Sequence, residues 1–260
     1  MQRPAAFFDL DRTLMAGSSG MQFARAAFRS GMVGRARLTR WAAEHVRFRL
    51  RGSTDERTAQ VLSEVKELLA GVPERDIERL SPHLLAGVLP RIYPQMLAEV
   101  HSHQDAGRPT FIVSAAGNDL VEGLARVLGM EGGIGTRYEV DGDGRLTGRI
   151  AEPFVYGAGK VAAMRRFADE HDLELASSWA YSDSASDLPM LRAVGNPVAV
   201  NPDAELAVIA AEEGWRVMRF EKLGRQIKIG AAALVAAAVG GSGRVIVSRR
   251  RNAQRHRSRR

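Results

Sequence analysis

The sequence of 260 residues has no cysteine, which excludes disulfide bonds, thiolate metal sites and cysteine nucleophiles. The first ten residues also lack a basic stretch followed by an apolar one, so we expect no signal peptide and a cytoplasmic protein. Apolar residues make up 45% of the chain and charged residues 26%. This composition is typical of a folded protein, and the length predicts one large domain or a core with a smaller insert.

A long hydrophobic run is missing as well. The most apolar segment, residues 229–243, would reach about 22 Å as a helix, which is short of the ~30 Å hydrocarbon core of a membrane. Residues 244–260 then hold eight of the 37 basic residues and no acidic residue, whereas the other 29 basic residues nearly balance the 30 acidic ones. The net charge of +7 therefore belongs to the tail and gives no information on a substrate pocket.

Two interpretations of this tail remain open. An apolar segment followed by a polybasic one supplies the two signals that hold a protein peripherally on anionic lipid, here at the inner face of the membrane. The alternative is a disordered, solubilising segment. Nucleic acid is a weaker candidate partner, because no aromatic residues alternate with the arginines.

The order of the predicted elements indicates an α/β protein. Short apolar runs predict strands, and segments with helical spacing near 119–128 and 160–171 follow two of them. The predicted strands are residues 5–10, 110–113, 179–182 and 197–200, with a hairpin at 138–150 around the turn 141–144. Strands that alternate with helices favour right-handed crossovers and a mostly parallel sheet.

Residues 15–100 differ from the rest of the chain, because their apolar positions recur at helical spacing between breaks at Gly31, Gly52 and Pro73. We interpret this block as a helical insert between the first two strands. The predicted organisation is a core of residues 1–14 and 101–222, an insert at 15–100, and a tail at 223–260.

Polar side chains follow several of the predicted strands, at the edge where functional groups gather in parallel sheets. Asp9 and Asp11 follow the first strand, and such paired carboxylates suit a divalent metal site or a nucleophile with an acid–base partner. Ser114 follows the second strand and leads to a helix N-terminus, where a hydroxyl and N–H groups can bind an anion. Taken singly, these residues have ordinary alternatives, which are an aspartate cap in a surface turn and an N-cap serine.

Two further groups lie near the later strands. Lys160 begins a predicted helix, where the helix dipole disfavours a cation, so a site that needs positive charge would explain it. Asp183 and Asp187 lie four residues apart and can converge on one cation. The alternatives are an exposed surface lysine and two helix-capping aspartates, with Pro189 in the first helical turn.

Taken in order, these groups resemble the four sequence motifs of the haloacid dehalogenase superfamily of phosphatases. The matching residues are Asp9, Asp11 and Thr13 in the first motif, Ser114 in the second, Lys160 in the third, and Asp183 and Asp187 in the fourth. The segment 181–191 is similar to that of subfamily IB, the phosphoserine-phosphatase-like branch. The resemblance implies a Rossmann-like α/β core with a mostly parallel sheet, and a helical cap of the C1 type at 15–100.

The resemblance also implies a role for each motif residue. Asp9 would be the nucleophile that forms an aspartyl-phosphate, and Asp11 would act as general acid and then as general base. Thr13, Ser114 and Lys160 would bind the phosphoryl oxygens.

The implied cofactor is Mg²⁺. The Asp9 carboxylate, the Asp11 backbone carbonyl and Asp183 would hold the ion, and Asp187 would support it directly or through its neighbours. The implied activity is hydrolysis of a phosphomonoester, and a closing cap favours a small phosphorylated metabolite as the substrate.

Phosphoserine phosphatases carry a glutamate in the cap at the position that Ser18 occupies here, and this departure argues against phosphoserine itself. Candidate ligands of a substrate carboxylate are Arg47, Arg49, Arg51 and Arg57, with a solvated helix face as the alternative. A phosphomutase or phosphotransferase, which would keep the phosphoryl group, is a rival activity. An inactive membrane-associated scaffold is a second rival, against which the complete set of motif residues argues.

Overall fold

The computed structural model describes residues 2–32, 34, 69–151 and 154–220, and the elements are numbered along these residues. The strands are β1 (Ala6–Asp9), β2 (Thr110–Gly117), β3 (Gly132–Thr136), β4 (Tyr138–Val140), β5 (Leu146–Ile150), β6 (Trp179–Ser182), β7 (Asn196–Val200) and β8 (Arg216–Met218). The helices are α1 (Ser19–Arg29), α2 (Glu74–Glu78), α3 (Ser81–Val88), α4 (Pro94–Asp105), α5 (Asn118–Val127), α6 (Ala158–Glu170), α7 (Leu188–Leu191) and α8 (Ala204–Glu212). Short 3₁₀ turns lie at Leu89–Arg91, Leu175–Ser177 and Ala185–Asp187.

Six strands form one sheet in the order β3-β2-β1-β6-β7-β8, and every neighbouring pair is parallel. β4 and β5 form the separate antiparallel hairpin that the sequence predicts. The prediction of an α/β fold with a mostly parallel sheet is confirmed. The sequence does not indicate β3 or β8, because β3 is rich in glycine and β8 is a short edge strand.

β1 lies in the middle of the sheet and is buried on both faces. Phe7 belongs to the apolar cluster on one face, where its ring stacks on that of Phe111 with centroids 5.7 Å apart. Phe8 points to the other face and stacks on Tyr181 of β6, with centroids 4.4 Å apart. A strand covered on both faces needs a continuous apolar run, and residues 5–8 supply it. This packing holds Asp9 at the carboxyl end of β1.

The chain leaves the core after β1 and returns before β2, and the two crossing points are paired. The N–H of Ala16 donates to the carbonyl oxygen of Arg91 over 2.8 Å, and Met15 forms an antiparallel bridge with Ile92. The described parts of the predicted insert are helical at α1, α2 and α3. Helix α4 begins after the return point and continues past residue 100 to Asp105.

Two sets of sequence predictions lie outside the described residues. One is the middle of the predicted insert, including Arg47, Arg49, Arg51 and Arg57, and the other is the tail from residue 223 onwards. Within the part of the chain that the structure describes, no helix has both the length and the apolar character needed to cross a membrane.

A chain of polar side chains joins α4 to β6 on the face of the sheet that Phe8 covers. Nε of Arg108 donates to Nδ1 of His103 over 2.8 Å, so the opposite ring nitrogen donates to the Tyr181 hydroxyl, also over 2.8 Å. Tyr181 in turn donates to Glu99 over 3.0 Å, and Glu99 pairs with Arg216. Burial, together with the charge of Arg108, lowers the pKa of His103 to about 4 and keeps its ring neutral.

We expect His103 to lower the free energy of unfolding as the pH falls below the pKa that histidine has in the unfolded chain. Its pKa is about 4 in the folded protein, whereas an unfolded histidine has a pKa of about 6.5. Between these values the unfolded chain binds a proton that the folded protein does not, so the free energy of unfolding falls as the pH falls.

The matched variant is His103→Gln, which keeps a polar side chain without the titration. The stability advantage of the wild type over this variant, from urea denaturation, should shrink by about 1–2 kcal/mol between about pH 7 and about pH 4.5, allowing for solvent screening. An advantage that is the same at both pH values would contradict this role of His103.

Gly135 of β3 lies against the first residue of α5, where a side chain has no room. A Cβ at Gly135 would lie 2.6 Å from Cα of Asn118, and the N–H of Gly135 donates to Oδ1 of Asn118 over 3.1 Å. A Cβ at Gly142, in the hairpin turn, would have no neighbour within 4 Å. Gly135 therefore brings β3 and α5 into direct backbone contact.

We expect Gly135→Ala to lower the free energy of unfolding by about 1–3 kcal/mol, because backbone atoms must move to admit the methyl group. Gly142→Ala, the control, should change it by no more than about 0.5 kcal/mol. Urea denaturation of both variants measures the difference, and equal effects would show that the close approach does not matter.

Candidate active site

The carboxyl ends of β1, β2 and β6 bring three of the predicted site residues to one edge of the sheet. Asp9 ends β1, Asp183 directly follows β6, and Ser114 lies one residue beyond Val113, the partner of Asp9 in β2. The sequence places Ser114 after its strand, whereas β2 continues irregularly to Gly117. The side chains of Asp9, Ser114 and Asp183 are all buried. In parallel sheets, ligands bind at such an edge, where neighbouring connections leave in opposite directions.

Lys160 joins the end of β1 to the segment after β6. It lies in the first turn of α6, and its Nζ is 2.7 Å from Oδ1 of Asp9 and 2.8 Å from Oδ2 of Asp187. The Ser182 hydroxyl donates to the same Oδ2 of Asp187 over 2.6 Å. Lys160, Asp9 and Asp187 are each less than 8% exposed. The structure therefore brings Asp9, Lys160 and Asp187 into direct contact.

Burial and charge act in opposite directions on these groups. Burial alone would lower the pKa of Lys160, but the negative charges of Asp187 and Asp9 outweigh burial and raise it. Burial raises the pKa of Asp9, although the charge of Lys160 acts against this. Burial also raises the pKa of Asp183 well above its ordinary value, despite the nearby guanidinium of Arg12. The site is thus a desolvated one, in which each charge depends on its neighbours.

The turn after β1 carries the rest of the first motif. The chain reverses at Arg12, whose φ is +62°, and Arg12 then reaches Asp183 with Nη2 2.9 Å from Oδ2. Oδ1 of Asp11 accepts the N–H of Ser19, the first residue of α1, over 2.8 Å. The Thr13 hydroxyl is buried and has no hydrogen-bond partner among the described residues. A buried hydroxyl of this kind is costly unless a ligand oxygen pairs with it.

Three polar groups in or beside the motif segments were not identified from the sequence. Arg12 follows Asp11 and Ser182 precedes Asp183, so both lie inside the motif segments. A charged or hydroxyl side chain next to a motif aspartate could have indicated them. The Tyr156 hydroxyl, four residues before Lys160, is buried and has no hydrogen-bond partner in the described part of the chain. No sequence pattern indicates it.

The donor atoms of this site suit a divalent cation, and its buried carboxylates outnumber their cationic partners. Asp9, Asp183 and Asp187 are three buried carboxylates, and the charges of Asp9 and Asp187 help to raise the pKa of Asp183. Their cationic partners are Lys160 and Arg12. No group of three acidic or histidine side chains is arranged to hold a metal among the described residues. The available donors are all oxygens, which Mg²⁺ prefers.

We expect Lys160→Met to lower the free energy of unfolding by about 3–5 kcal/mol, because it leaves two buried carboxylates without their cation. Arg165→Met, at an exposed position of the same helix, is the control and should change it by no more than about 0.5 kcal/mol. Thermal and urea unfolding of both variants provide the comparison. A Lys160→Met protein as stable as the control would show that the bridge contributes nothing.

The fold and site together define an α/β enzyme with a carboxylate and a lysine at the carboxyl edge of a parallel sheet. Comparison with known families agrees, because residues 6–192 match the haloacid dehalogenase-like hydrolase family. The chain belongs to this family of hydrolases. The resemblance found in the sequence is therefore confirmed.

Individual relatives extend this comparison. Phosphoserine phosphatase SerB1 of Mycobacterium tuberculosis is 34% identical over 263 residues, covering 95% of this chain and 81% of that protein. Histidinol-phosphatase of Neisseria meningitidis is 32% identical over 223 residues, covering 83% of this chain and 98% of that protein. A crystal structure of a Bordetella pertussis protein of unknown function superposes with a TM-score of 0.73 at 32% identity, covering 84% of this chain and 99% of that one. The names of the first two agree with the prediction of a phosphoric monoester hydrolase.

Proposed function

We propose that this protein is a Mg²⁺-dependent phosphatase that hydrolyses a small phosphomonoester through an aspartyl-phosphate at Asp9. The observation that carries the proposal is the buried contact between Asp9 and Lys160. The first motif also holds the buried Thr13 hydroxyl, which has no partner among the described residues. A carboxylate, a fixed ammonium group and free hydrogen-bond donors are what phosphoryl transfer requires, since the reaction depends mainly on positioning and electrostatics. Relatives named as phosphatases support the same activity.

The first step transfers the phosphoryl group to the protein. Lys160 binds Oδ1 of Asp9, so Oδ2 is the oxygen that attacks phosphorus. As the new bond from Oδ2 to phosphorus forms, the bond to the ester oxygen breaks, and Asp11 donates a proton to that leaving oxygen. Thr13, Ser114 and Lys160 bind the phosphoryl oxygens, which keeps the group aligned for attack.

The second step returns the site to its starting state. Asp11, now a carboxylate, takes a proton from a water molecule, and the water oxygen attacks phosphorus. The bond between Asp9 and phosphorus breaks, and inorganic phosphate leaves. The N–H of Ser19 donates to Oδ1 of Asp11, and this contact holds the Asp11 side chain at the start of α1.

The Asp9 carboxylate, the backbone carbonyl of Asp11 and Asp183 would hold the Mg²⁺ ion. When bound, the ion supplies positive charge to the phosphoryl oxygens. Asp187 is committed to Lys160 and Ser182, so we assign it to positioning the ammonium group rather than to direct coordination. Arg12 balances the charge of Asp183.

The substrate is proposed to be a small phosphorylated metabolite. SerB1 and the Neisseria protein are named for phosphoserine and histidinol phosphate, which are both phosphate esters of small amino alcohols. Ser18, at the N-terminal cap of α1, lacks the charge of the glutamate expected for phosphoserine recognition. A cytoplasmic location, and contact of the tail with anionic lipid, remain predictions from the sequence.

We expect Asp9→Asn to reduce phosphate release by at least about 10³-fold, because the amide is not a nucleophile. The assay measures inorganic phosphate from phosphoserine, histidinol phosphate and p-nitrophenyl phosphate, with Mg²⁺ or with EDTA. The control is Asp143→Asn at an exposed hairpin position, which should keep full activity.

Loss of activity in EDTA and in Asp9→Asn, but not in the control, is the expected pattern. Release of phosphate into water also separates hydrolysis from a mutase, which would retain the phosphoryl group. Near-normal hydrolysis by Asp9→Asn would remove Asp9 from its role as nucleophile.

A further inference from the structure

A basic groove of about 420 Å³ has α1 as one wall. Its other wall is formed by α3 together with the 3₁₀ turn that follows it. Arg25 and Arg29 line it from α1, and His83 and Arg91 line it from the opposite side. No acidic residue is among the described residues that line the groove. Within the described part of the chain, none of these three arginines forms a salt bridge. Three exposed arginines therefore line one groove without an ion-pair partner among the described residues.

The floor of the groove carries a buried amide. Gln22 is only 8% exposed, and its side chain makes no hydrogen bond with any described residue. A Cβ atom on Gly87 would lie only 3.0 Å from Oε1 of Gln22. A glycine at this point of α3 therefore leaves space for the amide. The amide atoms of Gln22 are not fully enclosed, so a ligand oxygen in the groove can accept its N–H groups.

The groove starts close to the candidate active site. Helix α1 begins at Ser19, whose N–H binds Asp11, and Arg25 lies about 9 Å further along its axis. On the other side, the carbonyl oxygen of Arg91 accepts the N–H of Ala16, in the segment that follows the first motif. Both walls of the groove are therefore anchored beside the catalytic loop.

We propose that this groove binds the second anionic group of the substrate, so that the natural phosphomonoester carries a further phosphate or carboxylate, displaced along α1 by roughly the 9 Å rise from Ser19 to Arg25. Guanidinium groups bind both kinds of oxyanion through paired N–H donors, and the amide of Gln22 adds further donors. This inference rests on the proposed function, which places the first phosphate at Asp9. A phosphomonoester without a second anion would leave the groove unused.

The test compares two ligands that cannot be hydrolysed, by isothermal titration calorimetry of the whole protein with Mg²⁺. The ligands are hexylphosphonate, with one anionic end, and the hexane bisphosphonate that has an anion at each end. The variant Arg25→Ala/Arg29→Ala opens one wall of the groove, and Arg91→Ala opens the other. Arg126→Ala/Arg165→Ala, at exposed positions of α5 and α6, is the control with the same change of charge as the double variant.

We expect the wild type to bind the bisphosphonate at least about tenfold more tightly than hexylphosphonate, as charge-assisted hydrogen bonds predict. Both groove variants should lose this preference, the control should keep it, and hexylphosphonate should bind all four proteins alike. A preference that survives in the groove variants would overturn the inference. Two equivalents of hexylphosphonate in the wild type, but one in the double variant, would also overturn it by assigning the groove to a separate anion.

Failure of the proposed function would look different, because calorimetry needs no turnover. If the Asp9 site takes no phosphonate, both ligands bind only through the groove with similar affinity, and both are lost in Arg25→Ala/Arg29→Ala. That result would overturn the assignment to a substrate. A protein that binds the bisphosphonate with the expected preference but releases no phosphate would instead support the groove and reject the hydrolytic step.

Discussion

The ammonium group of Lys160 is the constraint on which the rest of the site depends. It lies between Asp9 and Asp187, which are 151 and 27 residues away along the chain, and all three side chains are buried. Placing an ion triad in a protein interior gives little net stability, since the cost of desolvation offsets the attraction. The triad instead fixes the relative positions of three segments, which are α6, the end of β1 and the residues after β6. Each buried charge is tolerated only when these segments meet.

The alternation of side chains along β6 gives this arrangement a second support. Tyr181 points to the face of the sheet where Phe8 and His103 lie, and its hydroxyl is fixed by Glu99. Ser182, the next residue, belongs to the site and binds Asp187. The polar chain on one face of the sheet and the candidate site at its edge therefore depend on the same strand. A shift of β6 that disturbed one would misplace the other.

The central elements could be predicted because their signals are local. The apolar run at 5–8 and the aspartates that end β1 and follow β6 reveal buried strands with polar ends, and the four motifs reveal the family. β3 gives no such signal, since Gly133 and Gly135 are there to let α5 approach, and this requirement is visible only in three dimensions. The contact of Arg12 with Asp183 was also out of reach, because it depends on the turn at φ +62° and joins residues far apart in sequence.

Ala16 pairs with Arg91, and Met15 pairs with Ile92. The chain therefore leaves the core and returns to it at two adjacent points that are hydrogen-bonded to each other. A loop whose two ends are tied together transmits little of its own rearrangement to the strands beyond the tie. Insertions, deletions or wholesale exchange of this segment can therefore accumulate over evolution while β1 and β2 keep their register. In such an architecture the chemistry is inherited as a fixed unit, and the choice of substrate is free to diverge.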